Sequence, residues 1–191
     1  MAKNDQEESY ERCLSTTLGR VIEFLKFAET KNAALLTFSS AWLLAGISFL
    51  SGSSPHHMAW RTAFVVAMCF FAASALVAIY SFLPRLHLGR HHQDPEQKKA
   101  LLYFGDAATF EPAAYRERVS ERYRPPEKHS VTQSYVDDLA VQIVVVSKIT
   151  ARKFRIFNIA ACLVAIGLFS LAVPGLSRLV RLALAVLGDT P

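Results

Sequence analysis

The sequence predicts an all-α integral membrane protein: a two-helix transmembrane hairpin, a cytoplasmic helical bundle, a third transmembrane helix and a C-terminal interfacial helix. Three observations carry that reading. Apolar residues in the 191-residue chain gather into runs instead of being spread with the period of a soluble helix or strand. Three of those runs contain no Lys, Arg, Asp or Glu, and the basic residues concentrate in the segments between them.

The uncharged runs are residues 33–50, 62–83 and 156–174. A helix needs about 20 predominantly apolar residues, with a lower limit near 17, to cross ~30 Å of hydrocarbon; the second run clears that length and the other two reach it. "SGSSP" at residues 51–55 supplies the turn of a short external loop, so the first two spans form a hairpin. The domain layout is therefore a cytoplasmic amphipathic helix at 1–32, the transmembrane hairpin at 33–83, a cytoplasmic helical region at 84–155, the third span at 156–174 and an interfacial tail at 175–191.

Residues 1–31 hold six acidic and five basic residues with no apolar core of signal-peptide type, which makes the first span an uncleaved anchor. Within this segment Leu14, Leu18, Val21, Ile22 and Leu25 recur at helical spacing, with Arg20, Glu23 and Lys26 on other faces. The helix runs into the first span.

Residues 84–155 carry thirteen of the 21 Lys and Arg, the N-terminal segment five, the loop at 51–61 one and the tail after Pro174 two. The excess of Lys and Arg on one side puts the N-terminus and residues 84–155 in the cytoplasm. The formal charge of +5 needs no nucleic-acid partner, because juxtamembrane cations beside anionic lipid headgroups account for it. Trp60 beside Arg61 suits an interfacial anchor, whereas Trp42 is deeper and packs against a neighbouring helix. After Pro174-Gly175, which is expected to break the helix, Arg178 and Arg181 share one face of a segment too short to span, so it lies in the interface.

In the cytoplasmic region, Pro112 to Tyr123 reads as a short charged helix stopped by "RPPEK", since consecutive prolines cannot continue it. A longer helix comes next, with Tyr135, Leu139, Ile143, Val146 and Ile149 as its apolar stripe, and enters the third span. "LPRLHLGRHHQDP" at residues 83–95 is a solvated basic connector; His87, His91 and His92 lack the helical frame and partnering carboxylates of a metal site.

The sequence contains no Gly-rich phosphate loop, paired Cys and His, nucleophile elbow or metal-binding helix. Asp137 and Asp138 are adjacent and so point about 100° apart on a helix; charge complementarity near a helix N-terminus explains them better than a shared substrate. Cys13, Cys69 and Cys162 have neither metal spacing nor a disulfide pattern and read as small apolar packing residues. No enzyme and no metal or cofactor is expected. The spans carry small and hydroxyl residues, among them Ser39, Ser40, Gly46, Ser74, Ala75 and Ala78, which favour close helix association within the chain and in a homo-oligomer.

Several segments line up in order: "AETKNAALLTF" at the base of the first span, "FLPRL" after the second, "LLYFGD" in the middle and "YVDDLAVQIVVVSKITARKFRIFNIA" entering the third. This series resembles the transmembrane effectors of the Pycsar antiphage systems, the PycTM family, from about Val21 to Ala161. The resemblance implies a cyclic pyrimidine nucleotide, cyclic UMP or cyclic CMP, made by a cognate cyclase on infection, and an effector that impairs the bacterial inner membrane to arrest growth or cause abortive infection.

"ALLYFGDAATF" at residues 100–110 then has two readings. In one, Leu101, Leu102, Tyr103 and Phe104 plug the seam between cytoplasmic helices, Gly105 turns the chain and Asp106 caps the next segment. In the other, Tyr103 or Phe104 stacks on a pyrimidine while Arg116, Arg118, Arg122 or Arg152 holds the cyclic phosphate. The competing function is a structural or scaffolding membrane protein whose cytoplasmic helices bind a protein partner.

Overall fold

The computed structural model describes residues 3–52, 58–83, 100–127 and 129–188, so the connector with His87, His91 and His92 and most of the "SGSSP" turn lie outside the described residues. Among those residues every regular element is a helix: α1 (Lys3–Ser51), α2 (Met58–Phe82), α3 (Phe104–Ala107), α4 (Pro112–Tyr123) and α5 (Gln133–Gly188). α1, α2 and α5 each contain a window long and apolar enough to cross a membrane. The chain is an all-α membrane protein.

The chain divides into two compact units, one of Met1–Phe27 with Pro84–Arg152 and one of Ala28–Leu83 with Lys153–Pro191. α1 and α5 contribute residues to both.

The second unit holds the spans. Ala28, Asn32, Ser39 and Gly46 are the buried positions of α1 there, spaced by four and then seven residues, which keeps them on one stripe of the helix. α2 buries mostly small side chains, Ala63, Ala67, Ser74, Ala75, Ala78 and Ser81, together with Phe71. Small residues bring the backbones close, and Phe71 fills the remaining space against Val164, with Leu35, Trp42 and Leu168 around them. Trp42 stacks on Phe71 at 5.7 Å between centroids, the packing role its depth predicts. At Gly167 a side chain would be tight, since a Cβ there would lie 3.0 Å from Phe71 Cε1 and 3.4 Å from the Ala67 carbonyl oxygen.

Two buried serines of this apolar unit are joined across helices, whereas the buried Asn32 Oδ1 has no hydrogen-bond partner among the described residues. The Ser39 hydroxyl donates to Ser74 Oγ at 3.3 Å, and Ser74 donates in turn to the Ala160 carbonyl at 3.0 Å, so one short chain of hydroxyls touches α1, α2 and α5. At the base of the unit Asn32 Nδ2 donates to the Ala28 carbonyl at 2.9 Å, and Lys153 Nζ reaches Glu29 Oε1 at 2.7 Å. Outward the helices present Leu44, Leu76, Phe169 and Leu179, each exposed. A hydrocarbon solvent accepts such a surface, and water does not.

Two expectations fail against this architecture. α5 passes through Pro174 without a break and continues to Gly188, so residues 175–188 are its last turns. Proline removes the donor that would bond the Ser170 carbonyl, yet a membrane helix tolerates this when nearby groups hold the turns on either side. Here Ser170 Oγ donates to the Gly167 carbonyl at 2.7 Å and Ser177 Oγ to the Pro174 carbonyl at 2.9 Å. The cysteines do not pack inside: Cys13, Cys69 and Cys162 are all exposed.

In the first unit, Leu14, Leu18, Val21 and Leu25 of α1 are half-buried while Ile22 is exposed, so the apolar stripe is narrower than its sequence suggests. On α5 Leu139 is buried as expected, but Val136 and Val145 join it, whereas Tyr135, Ile143, Val146 and Ile149 are half-buried. A stripe inferred from apolarity alone cannot weigh the neighbours that cover each position.

Candidate functional site

The first unit contains a polar constellation built where α4 ends and α5 begins. Pro112 at the first turn, after an extended Glu111, starts α4, because a residue without an N–H is acceptable where no intrahelical acceptor exists. The helix ends at Arg124, whose N–H bonds the Ser120 carbonyl at 3.1 Å, and Pro125 and Pro126 forbid another turn. The chain then crosses to Gln133, where α5 starts.

This turn brings Arg122 and Tyr123 against Asp138. Arg122 Nε and Nη2 donate to Asp138 Oδ2 at 2.9 Å and Oδ1 at 3.1 Å, and the Tyr123 hydroxyl donates to Oδ2 at 2.6 Å. The Tyr123 ring meets Tyr135 edge-on at 5.6 Å. Burial, followed by the hydrogen bond to the Asp138 carboxylate and its charge, raises the Tyr123 hydroxyl well above the ordinary tyrosine range. Asp138 is thus a structural acceptor, not a helix-end charge; Asp137 beside it accepts from Gln133 Nε2 at 2.9 Å.

The N-terminal turns of α1 join the same region through Glu7. His129 Nδ1 lies 2.9 Å from Glu7 Oε1, the Ser130 N–H donates to Glu7 Oε2 at 3.3 Å, and Ser130 Oγ donates to the Asn4 carbonyl at 3.3 Å. Between these elements lies an open cleft of about 500 Å³, lined by Tyr10, Arg122, Arg124, His129, Thr132 and Ser134 among others. A second cleft of about 430 Å³ shares Val131 and Thr132 with it and is lined by Leu102, Tyr123 and Tyr135. Thr132 Oγ1 is buried and, among the described residues, has no hydrogen-bond partner.

The residues singled out in the sequence are dispersed around this centre. Arg122 lines the larger cleft, already engaged by Asp138. Arg116 sits on the outer surface of α4 beside Glu117 and Ser120, and Arg118 pairs with Glu121 at 2.7 Å one turn along the same helix. Arg152 is half-buried on α5. Tyr103, Phe104, Arg116, Arg118 and Arg152 are not among the described residues that line the larger cleft.

Residues 100–110 depart in part from the reading in which they plug a seam. Ala100 and Leu101 are buried, Tyr103 is half-buried, and Phe104 is 75% exposed, so Phe104 plugs nothing in the first unit. Asp106 reaches back and accepts the Ala100 N–H at 2.7 Å instead of capping the segment after it. Gly105 lies within the short α3, where the Tyr103 ring requires a glycine: a Cβ would fall 2.6 Å from Tyr103 Cε1. Tyr115 secures the segment by donating its hydroxyl to the Leu101 carbonyl at 3.0 Å.

In the span unit Trp60 is half-buried, with Gly175 beside it at 3.9 Å from the ring to an ideal Cβ, while Arg61, Arg178 and Arg181 are exposed. Sequence reasoning missed Asp138, Arg124, Thr132 and the Glu7 to His129 contact. The proline pair was the available signal for the turn that gathers them.

Comparison with known proteins bears on this architecture. The Pycsar effector protein domain matches residues 13–181. The Pycsar effector protein RsPycTM of a Rhizobium species is 36% identical over 170 residues, which cover 89% of this chain and 97% of that protein. No solved structure matches the chain. With a family match across both units and three helices able to span a bilayer, the chain belongs to the Pycsar transmembrane effectors and is a membrane protein of antiphage defence.

Proposed function

We propose that this protein is the effector that answers a cyclic pyrimidine nucleotide, cyclic UMP or cyclic CMP, made by a cognate cyclase, and that on the signal it impairs the bacterial inner membrane, arresting growth or aborting infection. The observation that carries the reading is the sharing of α1 and α5 between the two units. A ligand that prefers one packing of the helices in the first unit thereby acts on elements that also build the spans. It shifts that equilibrium only by its difference in affinity for the two arrangements; a tenfold shift needs about 1.4 kcal/mol, which one phosphate contact supplies.

In this reading the protein is a multi-pass inner-membrane protein with its N-terminus and residues 84–155 in the cytoplasm, working without catalysis as a homo-oligomer in the lipid bilayer. The excess of Lys and Arg in residues 84–155 supports the orientation. Dye leakage from liposomes carrying the purified protein, with cyclic UMP, cyclic CMP, cyclic AMP or no nucleotide, tests it. Leakage with a pyrimidine nucleotide alone is expected. Retention in every arm would remove direct nucleotide gating and favour a scaffold that recruits a protein partner.

A further inference from the structure

We infer that the nucleotide sits in the larger cleft of the first unit, its phosphate against Arg124 and the Thr132 hydroxyl and its base on the Tyr10 ring. The inference rests on the reading that the protein answers a cyclic pyrimidine nucleotide, and it moves the site away from Tyr103, Phe104 and the outer arginines of α4.

Four observations converge on the cleft. At about 500 Å³ it has the size of small-ligand sites, which run from about 300 to 1,000 Å³. Arg124 is exposed at its wall and, among the described residues, is paired with no carboxylate, whereas Arg118 is held by Glu121 and Arg122 by Asp138. A phosphate can therefore engage the Arg124 guanidinium through two parallel N–H bonds without dismantling an existing ion pair. Thr132 lines the same cleft, and its Oγ1 is buried with no partner among the described residues, a donor for which a phosphate oxygen is a fitting acceptor. Tyr10, 56% exposed on the opposite wall, offers a flat aromatic face to a base.

The cleft is not uniformly basic. Glu7 and Glu121 also line it, but both are engaged, Glu7 by His129 and the Ser130 N–H and Glu121 by Arg118, so neither presents a bare carboxylate to an anion. The walls come from the first turns of α1 and from residues 121–136, which Glu7 already links. A ligand touching both walls binds best at one separation of them, and this differential contact is what a signal requires.

The test is equilibrium binding of cyclic UMP, cyclic CMP and cyclic AMP to the full chain in detergent, for the wild type and for Arg124→Gln, Thr132→Val, Tyr10→Ala and the control Arg116→Gln, each checked for helicity by circular dichroism. Arg124→Gln is expected to weaken the preferred pyrimidine nucleotide by about tenfold or more, Thr132→Val and Tyr10→Ala by several-fold, and Arg116→Gln by less than about twofold. Thr132→Val keeps the shape of the side chain and removes only the hydroxyl. Wild-type binding with undiminished affinity in all three cleft variants would overturn this location while leaving the nucleotide reading intact. No binding by the wild type would overturn that reading and the site with it. Hydrogen exchange separates the sites independently: bound nucleotide should slow exchange in residues 4–11 and 121–136, and protection confined to residues 100–110 would return the site to Tyr103 and Phe104.

Discussion

Arg122 and Asp138 meet in a two-point contact, at 2.9 Å and 3.1 Å, that fastens the last turn of α4 to the second turn of α5. The two helices enclose the turn between them, so this contact fixes the wall on which Arg124 and Thr132 lie. The side chains are 25% and 11% exposed, which keeps water from replacing either partner readily.

Asp138→Ala should therefore be the most damaging single truncation in the first unit. It strands the Arg122 guanidinium and the Tyr123 hydroxyl together, and hydrogen bonds to charged groups contribute roughly 1.5–3 kcal/mol each. Allowing for partial exposure, we expect a loss of about 2–3 kcal/mol. Arg122→Ala should cost less, because Tyr123 still satisfies one carboxylate oxygen. Thermal unfolding in detergent ranks the two variants, and equal midpoints for Asp138→Ala and wild type would refute the ordering.

Alkaline pH should loosen the same contact. The Tyr123 hydroxyl has a folded pKa raised above its unfolded value, first by burial and then by Asp138, so the protonated form is favoured by folding. Its contribution is fully present below about pH 10, the value of an unperturbed tyrosine, and is lost as pH rises above that toward the folded pKa. Tyr123→Phe should be less stable at neutral pH and should lose less further stability between about pH 9 and 11. Unfolding midpoints across that range provide the check.

Gly167 and Gly46 both sit in the span unit and should respond differently to alanine. At Gly167 a methyl group would press on the ring of Phe71, a buried side chain of the packed core, so Gly167→Ala should cost about 1–3 kcal/mol by overpacking. At Gly46 the obstacle is Met68 Sδ, 2.7 Å from an ideal Cβ, at the far end of a flexible side chain. Gly46→Ala should cost about 1 kcal/mol or less. Unfolding in mixed detergent micelles compares them directly.

Ser74→Ala removes the middle of the hydroxyl chain that joins Ser39 to the Ala160 carbonyl. Interhelical hydrogen bonds in membranes contribute about 0.6 kcal/mol on average and up to about 1.7, so a modest loss is expected. Ser39→Ala, which removes only the terminal donor, should cost less. A larger effect of Ser39→Ala would mean that the chain of donors runs the other way.

Much of the fold was legible because its signals are local. Pro112 and the Pro125-Pro126 pair bracket α4, and the expected bounds of that helix are the observed ones. Uncharged runs marked the three helices able to span a bilayer, and the depth of Trp42 in its run pointed to packing on a neighbouring helix, which is where it stacks on Phe71 of α2. Pro174 misled because proline is a breaker in water, whereas a membrane helix tolerates it, and α5 runs through it to Gly188. The candidate site was harder. Arg122 was singled out as a phosphate ligand, but nothing in local spacing couples it to Asp138, 16 positions away, or Glu7 to His129, 122 positions away. Such pairs exist only once the helices have packed, and they decide which arginines remain available.

The exposed cysteines give the molecule a built-in depth gauge. Cys13 lies in the first unit, while Cys69 and Cys162 lie on the outer surface of span helices, where acyl chains would cover them. Acyl chains keep an aqueous reagent away from a residue they cover, so a membrane-impermeant maleimide should label Cys13 from the face that residues 1–27 occupy and spare the other two. If nucleotide made Cys69 or Cys162 react in sealed vesicles, water would have entered among the lipids at a known residue, and the breach could be timed and mapped with no residue replaced.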